Sequence, residues 1–157
     1  MNFTFESKEN LILCTYRSNG RDYIGHAVFN SDDNEENYSV EIGKQISKLR
    51  ALKNHQEFEI YVFKQSIAHL VTAHSSLTNS EILITTDEIL KYDFEDSKDI
   101  DILIKNIRGR LGNLPRSKTA AEKIFINTIY RSFKELNSRI HICAKYKKQL
   151  KEIINKL

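Results

Sequence analysis

The chain has 157 residues, of which 40% are hydrophobic and 29% charged, and its formal net charge is +3. This composition fits one ordinary domain or two very small ones, and the single proline and five glycines argue against long disordered linkers. No apolar run approaches the roughly 20 residues needed to cross a bilayer, and the N-terminus lacks the layout of a secretory signal. We therefore expect a cytoplasmic, non-membrane protein in which Cys14 and Cys143 are free thiols.

The small net charge conceals a strong sorting of charge along the chain. Residues 1–53 carry a net charge of −1, residues 54–104 one of −7, and residues 105–157 one of +11. Such asymmetry is typical of contact with nucleic acid, a membrane surface or an acidic protein. The alternative is that the acidic segment packs against the basic one inside one fold.

Three β-strands are predicted at the N-terminus, over residues 2–7, 11–17 and 23–30, because these runs are rich in β-branched and aromatic residues. Asn19-Gly20 predicts a hairpin turn between the second and third strands, since this pair supplies the positive φ angles of tight turns. An acidic loop follows over residues 31–37. It lacks the ligand spacing of an EF-hand, so we interpret it as a solvated loop and not as a calcium site.

Two helices are predicted next, one over residues 39–54 with Ser39 as its N-cap and one over residues 58–77. The first six residues of the second helix could by themselves form a strand, but the apolar spacing over the whole run fits one continuous helical face. A short helix ending at Leu90 follows, and then a helix that starts in the acidic stretch 93–101 and ends at Arg110. Glycines, Asn113 and Pro115 then form the clearest break in the chain.

Residues 117–157 are predicted to form one long helix, with Thr119 and Glu122 spaced as in a capping box. The alternative is that this segment bends and packs as a bundle. Apolar residues repeat at intervals of three and four, in a seam interrupted only by Lys147: Ile126, Ile129, Phe133, Leu136, Ile140, Cys143, Leu150, Ile154 and Leu157. The seam requires a partner surface, either within this chain or in a second copy of it, so a homodimer through this helix is one possibility.

Catalytic motifs are absent from the sequence: there is no phosphate-binding glycine loop, nucleophile elbow or Cys-x-x-Cys pair. His69 and His74 are five residues apart, which places them on different sides of a helix. The carboxylates of residues 93–101 could in principle serve a metal-dependent nuclease, but they are better explained as a solvated helix start. We expect a protein that is not an enzyme and uses no cofactor or metal.

The basic third is the best candidate for a binding site, because arginine binds phosphate bidentately and loop glycines allow a backbone to approach closely. The predicted contacts around the glycine and proline break are Lys105, Arg108, Arg110, Arg116 and Lys118. Those along the last helix are Arg131, Arg139, Lys145, Lys147 and Lys148, with Tyr130 and Tyr146 as candidates for stacking on unpaired bases. The alternative is a solvated helix face with aromatic core residues.

Motifs in the first half occur in a suggestive order: Gly25-His26-Ala27, then Asn30-Ser31-Asp32-Asp33, then Glu41-Ile42-Gly43 and Arg50-Ala51-Leu52. Over about residues 3–54 they resemble small domains of phage and bacterial proteins that are similar to double-stranded RNA-binding domains (dsRBD-like). Ser31 and Ser47 replace the family's proline and alanine, and no helix precedes the first strand. The resemblance implies phosphate contacts from Lys44 and Lys48.

The sequence therefore predicts an α+β fold, with a three-stranded antiparallel meander packed by a helix and then an all-helical C-terminal region. Its predicted division is into residues 1–77 and 78–157. The predicted function is binding of structured or duplex RNA by a non-enzymatic accessory protein of phage or mobile-element origin. The alternative is an anti-CRISPR-type inhibitor that binds a host defence nucleoprotein complex, with or without help from RNA.

Overall fold

A computed structural model describes residues 2–28, 39–78, 105 and 120–157. Three strands come first, β1 (Phe3–Lys8), β2 (Leu11–Ser18) and β3 (Arg21–Val28), and two long helices follow, α1 (Val40–Thr78) and α2 (Ala120–Asn155). The sheet is antiparallel and packs on a helix, so the predicted α+β fold class is confirmed. None of the helices in these residues is long and apolar enough to cross a membrane.

The strands are joined by tight turns and lie in chain order, β1-β2-β3. Asn19 and Gly20 have φ angles of 52° and 76°, as the predicted hairpin turn requires. The turn between β1 and β2 uses Glu9 at a φ of 55°, which nothing in the sequence indicated. The predicted strands differ from the observed ones by one or two residues at most of their ends.

The two faces of the sheet have different surroundings. In β3, Tyr23, Gly25 and Ala27 are buried on the face that α1 covers, and the residues between them are exposed. Ile24 and Val28, on the other face, are 55% and 45% exposed. The period of two along the strand thus separates a core face from an open face.

Helix α1 begins where the sequence predicted, because the Oγ of Ser39 accepts a hydrogen bond from the backbone N–H of Ile42 at 3.2 Å. It then continues without a break to Thr78, so the prediction of two separate helices was wrong. The polar residues at 55–57, where the break was predicted, do not end the helix. Asn54 bonds to a strand carbonyl and the His55 ring packs against Tyr16 and Tyr23, so these polar residues are part of the contact with the sheet.

The backbones of α1 and β3 touch directly at Gly25. A Cβ atom at this position would overlap the carbonyl oxygen of Ser47 and the backbone nitrogen of Ala51. Ser47 and Ala51 are themselves fully buried. Three small residues, one on the strand and two on the helix, therefore let the helix lie against the sheet with no layer of large side chains between them at this point.

The apolar seam of α2 is confirmed over most of its length. Its buried members are Ile129, Phe133, Leu136, Ile140, Cys143 and Leu150. Near the C-terminus Ile153 is half-buried and Ile154 is 42% exposed, so the prediction that Ile154 belongs to the buried seam was wrong. A strict seven-residue repeat drifts around a helix with 3.6 residues per turn, which explains this shift. These residues are buried within one copy of the chain.

Contacts between residues divide the chain into two compact units. The first, Met1–Phe58 with Ile142–Leu157, contains the sheet and both chain ends, and its core cluster of Ala27, Ile46 and Leu150 joins β3, α1 and α2. The second unit is Glu59–His141, in which Ile67, Phe133 and Leu136 are fully buried or nearly so. The predicted division at residue 78 stays a prediction.

Several sequence assignments fall on residues that the structure does not describe. They are the acidic loop, the helices predicted between residue 79 and Arg110, the break around Pro115, and the capping box before α2.

Both cysteines are buried free thiols. Burial raises the pKa of Cys14 above its ordinary value of 9.0, against the opposing effect of nearby Lys48. Burial also raises the pKa of Cys143, where Lys147 and Lys53 act in the opposite direction. Both thiols are therefore held in the protonated form in the folded chain.

Replacing Gly25 with alanine is expected to lower the free energy of unfolding by at least about 2 kcal/mol, because the added methyl group meets backbone atoms that cannot rotate away. Urea unfolding of G25A followed by circular dichroism measures the loss. The neighbouring His26 is exposed, and H26A is the control, with an expected change within about 0.5 kcal/mol. Equal stability of G25A and H26A would show that the helix does not lie this close to the strand.

The raised thiol pKa values predict that stability falls at alkaline pH. Above the ordinary value of 9.0 the unfolded chain loses the thiol protons first, so the unfolded state becomes more favourable as the pH rises. Thermal unfolding at about pH 8 and about pH 10 measures this change. The double variant C14A/C143A lacks both thiols and is expected to lose less of its melting temperature between the two pH values than the natural chain does.

Candidate nucleic-acid interface

Lys44 and Lys48 lie over aromatic rings of β1, on the face of the sheet that α1 covers. The Nζ of Lys48 is 4.6 Å from the centroid of the Phe3 ring, and the Nζ of Lys44 is 5.7 Å from that of Phe5. Lys48 is exposed and Lys44 is half-buried. The cation–π contacts orient both lysines toward β1 and leave the ammonium of Lys48 accessible to solvent.

A row of aromatic rings crosses all three strands and supports Lys48. Phe3 stacks on Tyr16 with centroids 4.8 Å apart, and Tyr16 lies 6.4 Å from Tyr23. Phe58 of α1 continues the row at 6.0 Å from Tyr23. Because Phe3, Tyr16 and Tyr23 are direct cross-strand partners, the strand register itself aligns them. These rings contact one another, so their role in the first unit is to pack the end of the sheet.

A groove lies between α1 and α2 within the first unit, and we call it the helix groove. It has a volume of about 420 Å³. Its lining is Gln45, Lys48, Leu49 and Leu52 from α1, and Tyr146, Gln149, Glu152, Ile153 and Lys156 from α2. The leucines and Ile153 are half-buried and the two lysines are exposed. The groove therefore has an apolar floor and a polar rim that carries two cations and one carboxylate.

This combination suits a planar ring attached to an anion. Leu49, Leu52 and Ile153 offer apolar surface, and the half-buried Tyr146 adds an aromatic ring. Lys48 and Lys156 offer positive charge from opposite helices. A base with its phosphate has both parts, and stacking of bases on aromatic side chains contributes roughly 1–3 kcal/mol each.

The other predicted cations of the C-terminal part of α2 differ in their surroundings. Lys147 lies 3.7 Å from a carboxylate oxygen of Glu57, which Lys53 also approaches at 3.9 Å. Lys145 and Lys148 are exposed. Part of the positive charge of Lys147 is thus offset within the chain, while Lys145 and Lys148 face solvent.

Arg139, in the second unit, is held by its own chain. Its guanidinium lies 3.7 Å from Glu59 and 3.3 Å from Glu135, and 5.0 Å from the ring centroid of Phe63. Its side chain is only 25% exposed, and among the residues that the structure describes its buried Nε has no hydrogen-bond partner. These contacts favour a packing role for Arg139 over the predicted contact with phosphate.

The remaining predicted residues do not form a site that the structure describes. Lys105 and Arg131 are exposed. Arg108, Arg110, Arg116, Lys118 and the side chain of Tyr130 lie outside the described residues. Within the residues that are described, no three histidine, cysteine or acidic side chains come together as a metal site would require.

The structure brings together residues that were predicted from the sequence as separate contacts. Lys48 and Tyr146 were predicted as contacts on different helices, and both line the helix groove. Lys156 and Gln45 also line the groove, and neither was among the predicted contacts. The spacing of Leu49 and Leu52 on one helix and Ile153 on the other was the available signal, but it cannot show which helices pack together.

No protein-family model, curated protein or solved structure matches this chain. The resemblance to dsRBD-like domains and the phage origin stay predictions from the sequence.

Replacing Arg139 with alanine is expected to lower the free energy of unfolding by about 1–2 kcal/mol, because ion pairs and a cation–π contact are lost together. R131A is the matched control on the same helix, since Arg131 is exposed, and its expected change is within about 0.5 kcal/mol. Urea unfolding of both variants measures the difference. Loss of RNA binding by R139A with unchanged stability would instead support the contact with phosphate predicted from the sequence.

Proposed function

We propose that this protein binds structured RNA without catalysing a reaction, and that the helix groove with the exposed lysines of α2 makes the main contact. One observation carries the proposal. Lys48 and Lys156 flank an apolar floor beside Tyr146, within a groove of about 420 Å³. One side of that site comes from α1 and the other from α2.

The dimensions of the helix groove support binding of a single unpaired nucleotide. Its volume falls within the roughly 300–1,000 Å³ that is usual for small-molecule sites. An unpaired base can leave its neighbours and insert, whereas a base inside a duplex cannot. Loops and bulges of structured RNA present such bases, which is how most sequence-specific recognition of RNA occurs.

The charge around the groove supports contact with a phosphate backbone. Lys145 and Lys148 are exposed on the same segment of α2 as Tyr146. Each lysine that neutralises a phosphate releases counterions, so binding gains free energy at low salt and loses it as salt increases. Glu152 in the groove opposes this attraction and favours a partner that brings apolar ring surface as well as charge.

Filter binding of radiolabelled tRNA, duplex RNA and duplex DNA at about 50 mM and about 200 mM salt tests the proposal. We expect retention of tRNA at low salt and a steep loss at high salt. Y146A is expected to weaken binding by about tenfold, and each of K48A and K156A to lower the slope of log affinity against log salt by about 1. K8A is the control, because Lys8 is exposed on β1 and does not line the groove.

Three outcomes of that experiment contradict the proposal. They are the absence of retention at low salt, an equal effect of K8A and K48A, and equal retention of duplex DNA. The last would assign binding to charge alone.

The alternative function, inhibition of a host defence nucleoprotein complex, depends on the acidic segment over residues 81–101. This segment lies outside the described residues, and no described contact favours the alternative.

A further inference from the structure

The two edges of the sheet differ in how their backbone groups are used. At the β3 edge, Nη1 of Arg50 donates to the carbonyl oxygen of His26 at 2.7 Å, and Nδ2 of Asn54 donates to that of Ile24 at 2.9 Å. Both donors come from α1. The helix therefore occupies the edge of β3, which prevents a further strand from pairing there.

The β1 edge carries no such cover from the described residues. The backbone N–H of Arg17 in β2 donates to the carbonyl oxygen of Asn2 at 3.0 Å, which shows that the even residues of this segment face β2. Backbone groups alternate in direction along an antiparallel strand, so the N–H and C=O groups of Phe3, Phe5 and Ser7 point outward. In the described parts of the chain, no hydrogen bond from another element reaches them.

Exposure agrees with an open edge. Every residue of β1 after Phe3 is exposed, and Phe5, a large apolar side chain, is 39% exposed. Three outward donors and three outward acceptors thus lie in a row beside an incompletely buried aromatic ring. Such an edge is a template for another strand.

We propose that β1 pairs with β1 of a second copy of this chain, antiparallel and about a two-fold axis at Phe5, so that two sheets form one of six strands. Phe5 then lies opposite Phe5 of the second copy, and Phe3 lies opposite Ser7. All three outward residues of each copy exchange hydrogen bonds in this register. The pairing uses backbone groups of β1, none of whose residues lines the helix groove.

The sequence of β1 favours this register over its neighbours. Residues directly opposite each other in an antiparallel pair share a face of the sheet. The two-fold axis must therefore pass through a residue and not between two residues. Centring on Glu6 would place two carboxylates directly opposite each other, which is destabilising. Centring on Thr4 or on Ser7 would leave only a short overlap, because β1 begins at Phe3 and ends at Lys8. Centring on Phe5 opposes Glu6 to Thr4.

Sedimentation of the full chain from about 1 μM to about 100 μM tests the association. We expect a monomer–dimer equilibrium within this range. S7P removes an outward N–H that the β1–β2 ladder does not use, and proline is tolerated at such edge positions, so the variant is expected to stay folded and to dimerise at least tenfold more weakly. S7A keeps the N–H and is the control. Circular dichroism confirms folding.

Cysteine cross-linking tests the register independently. Paired residues at Phe5 have Cα atoms about 5.5 Å apart in the proposed register, so F5C is expected to form a disulfide-linked dimer under mild oxidation. K8C is the control, since its two copies lie about 20 Å apart at a rise of roughly 3.4 Å per residue. The natural cysteines are both buried and so contribute little background.

Two results overturn the proposal. One is a natural chain that stays monomeric throughout the concentration range. The other is a dimer that S7P does not weaken and in which F5C does not cross-link in preference to K8C, which would assign the association to another surface. If S7P does not fold, the comparison of F5C with K8C decides.

Discussion

The first unit depends on the direct contact between the backbones of β3 and α1. Gly25 on the strand, with Ser47 and Ala51 on the helix, leaves no room for a side chain between them. A close approach of this kind fixes both the position of the helix along β3 and the rotation of the helix about its axis. Larger residues at these positions would move the helix away from the sheet and change every contact that it makes there.

Several separate features follow from that fixed position. Arg50 and Asn54 reach the outer carbonyls of β3, and Lys44 and Lys48 extend over the rings of β1. The helix thus covers one edge of the sheet with hydrogen-bond donors and leaves the other edge open. It also presents Leu49 and Leu52 to the C-terminal end of α2, which forms the floor of the helix groove.

The C-terminal end of α2 completes the core of this unit and changes the meaning of the basic third. Leu150 joins the cluster with Ala27 and Ile46, so the last helix is a structural part of the fold and not an appended cationic tail. Some of its charge is offset by neighbouring carboxylates, as at Lys147 and Arg139. The cations that remain exposed lie on a surface whose shape is set by packing.

The sequence by itself determined the elements and their local signals: the period-two strands, the Asn19-Gly20 turn, the Ser39 cap and the seam of α2 are properties of neighbouring residues, and the structure confirms them. The break predicted at residues 55–57 is absent, because polar residues there contact the sheet: Asn54 bonds to a strand about 30 residues away, and the His55 ring packs against Tyr16 and Tyr23. Only the tertiary structure decided that Lys48 and Tyr146 share a groove, that Arg139 is held by carboxylates, and which sheet edge is open. Each of these depends on contacts between distant segments, and the period of a helix reveals an apolar face but not the surface against which it packs.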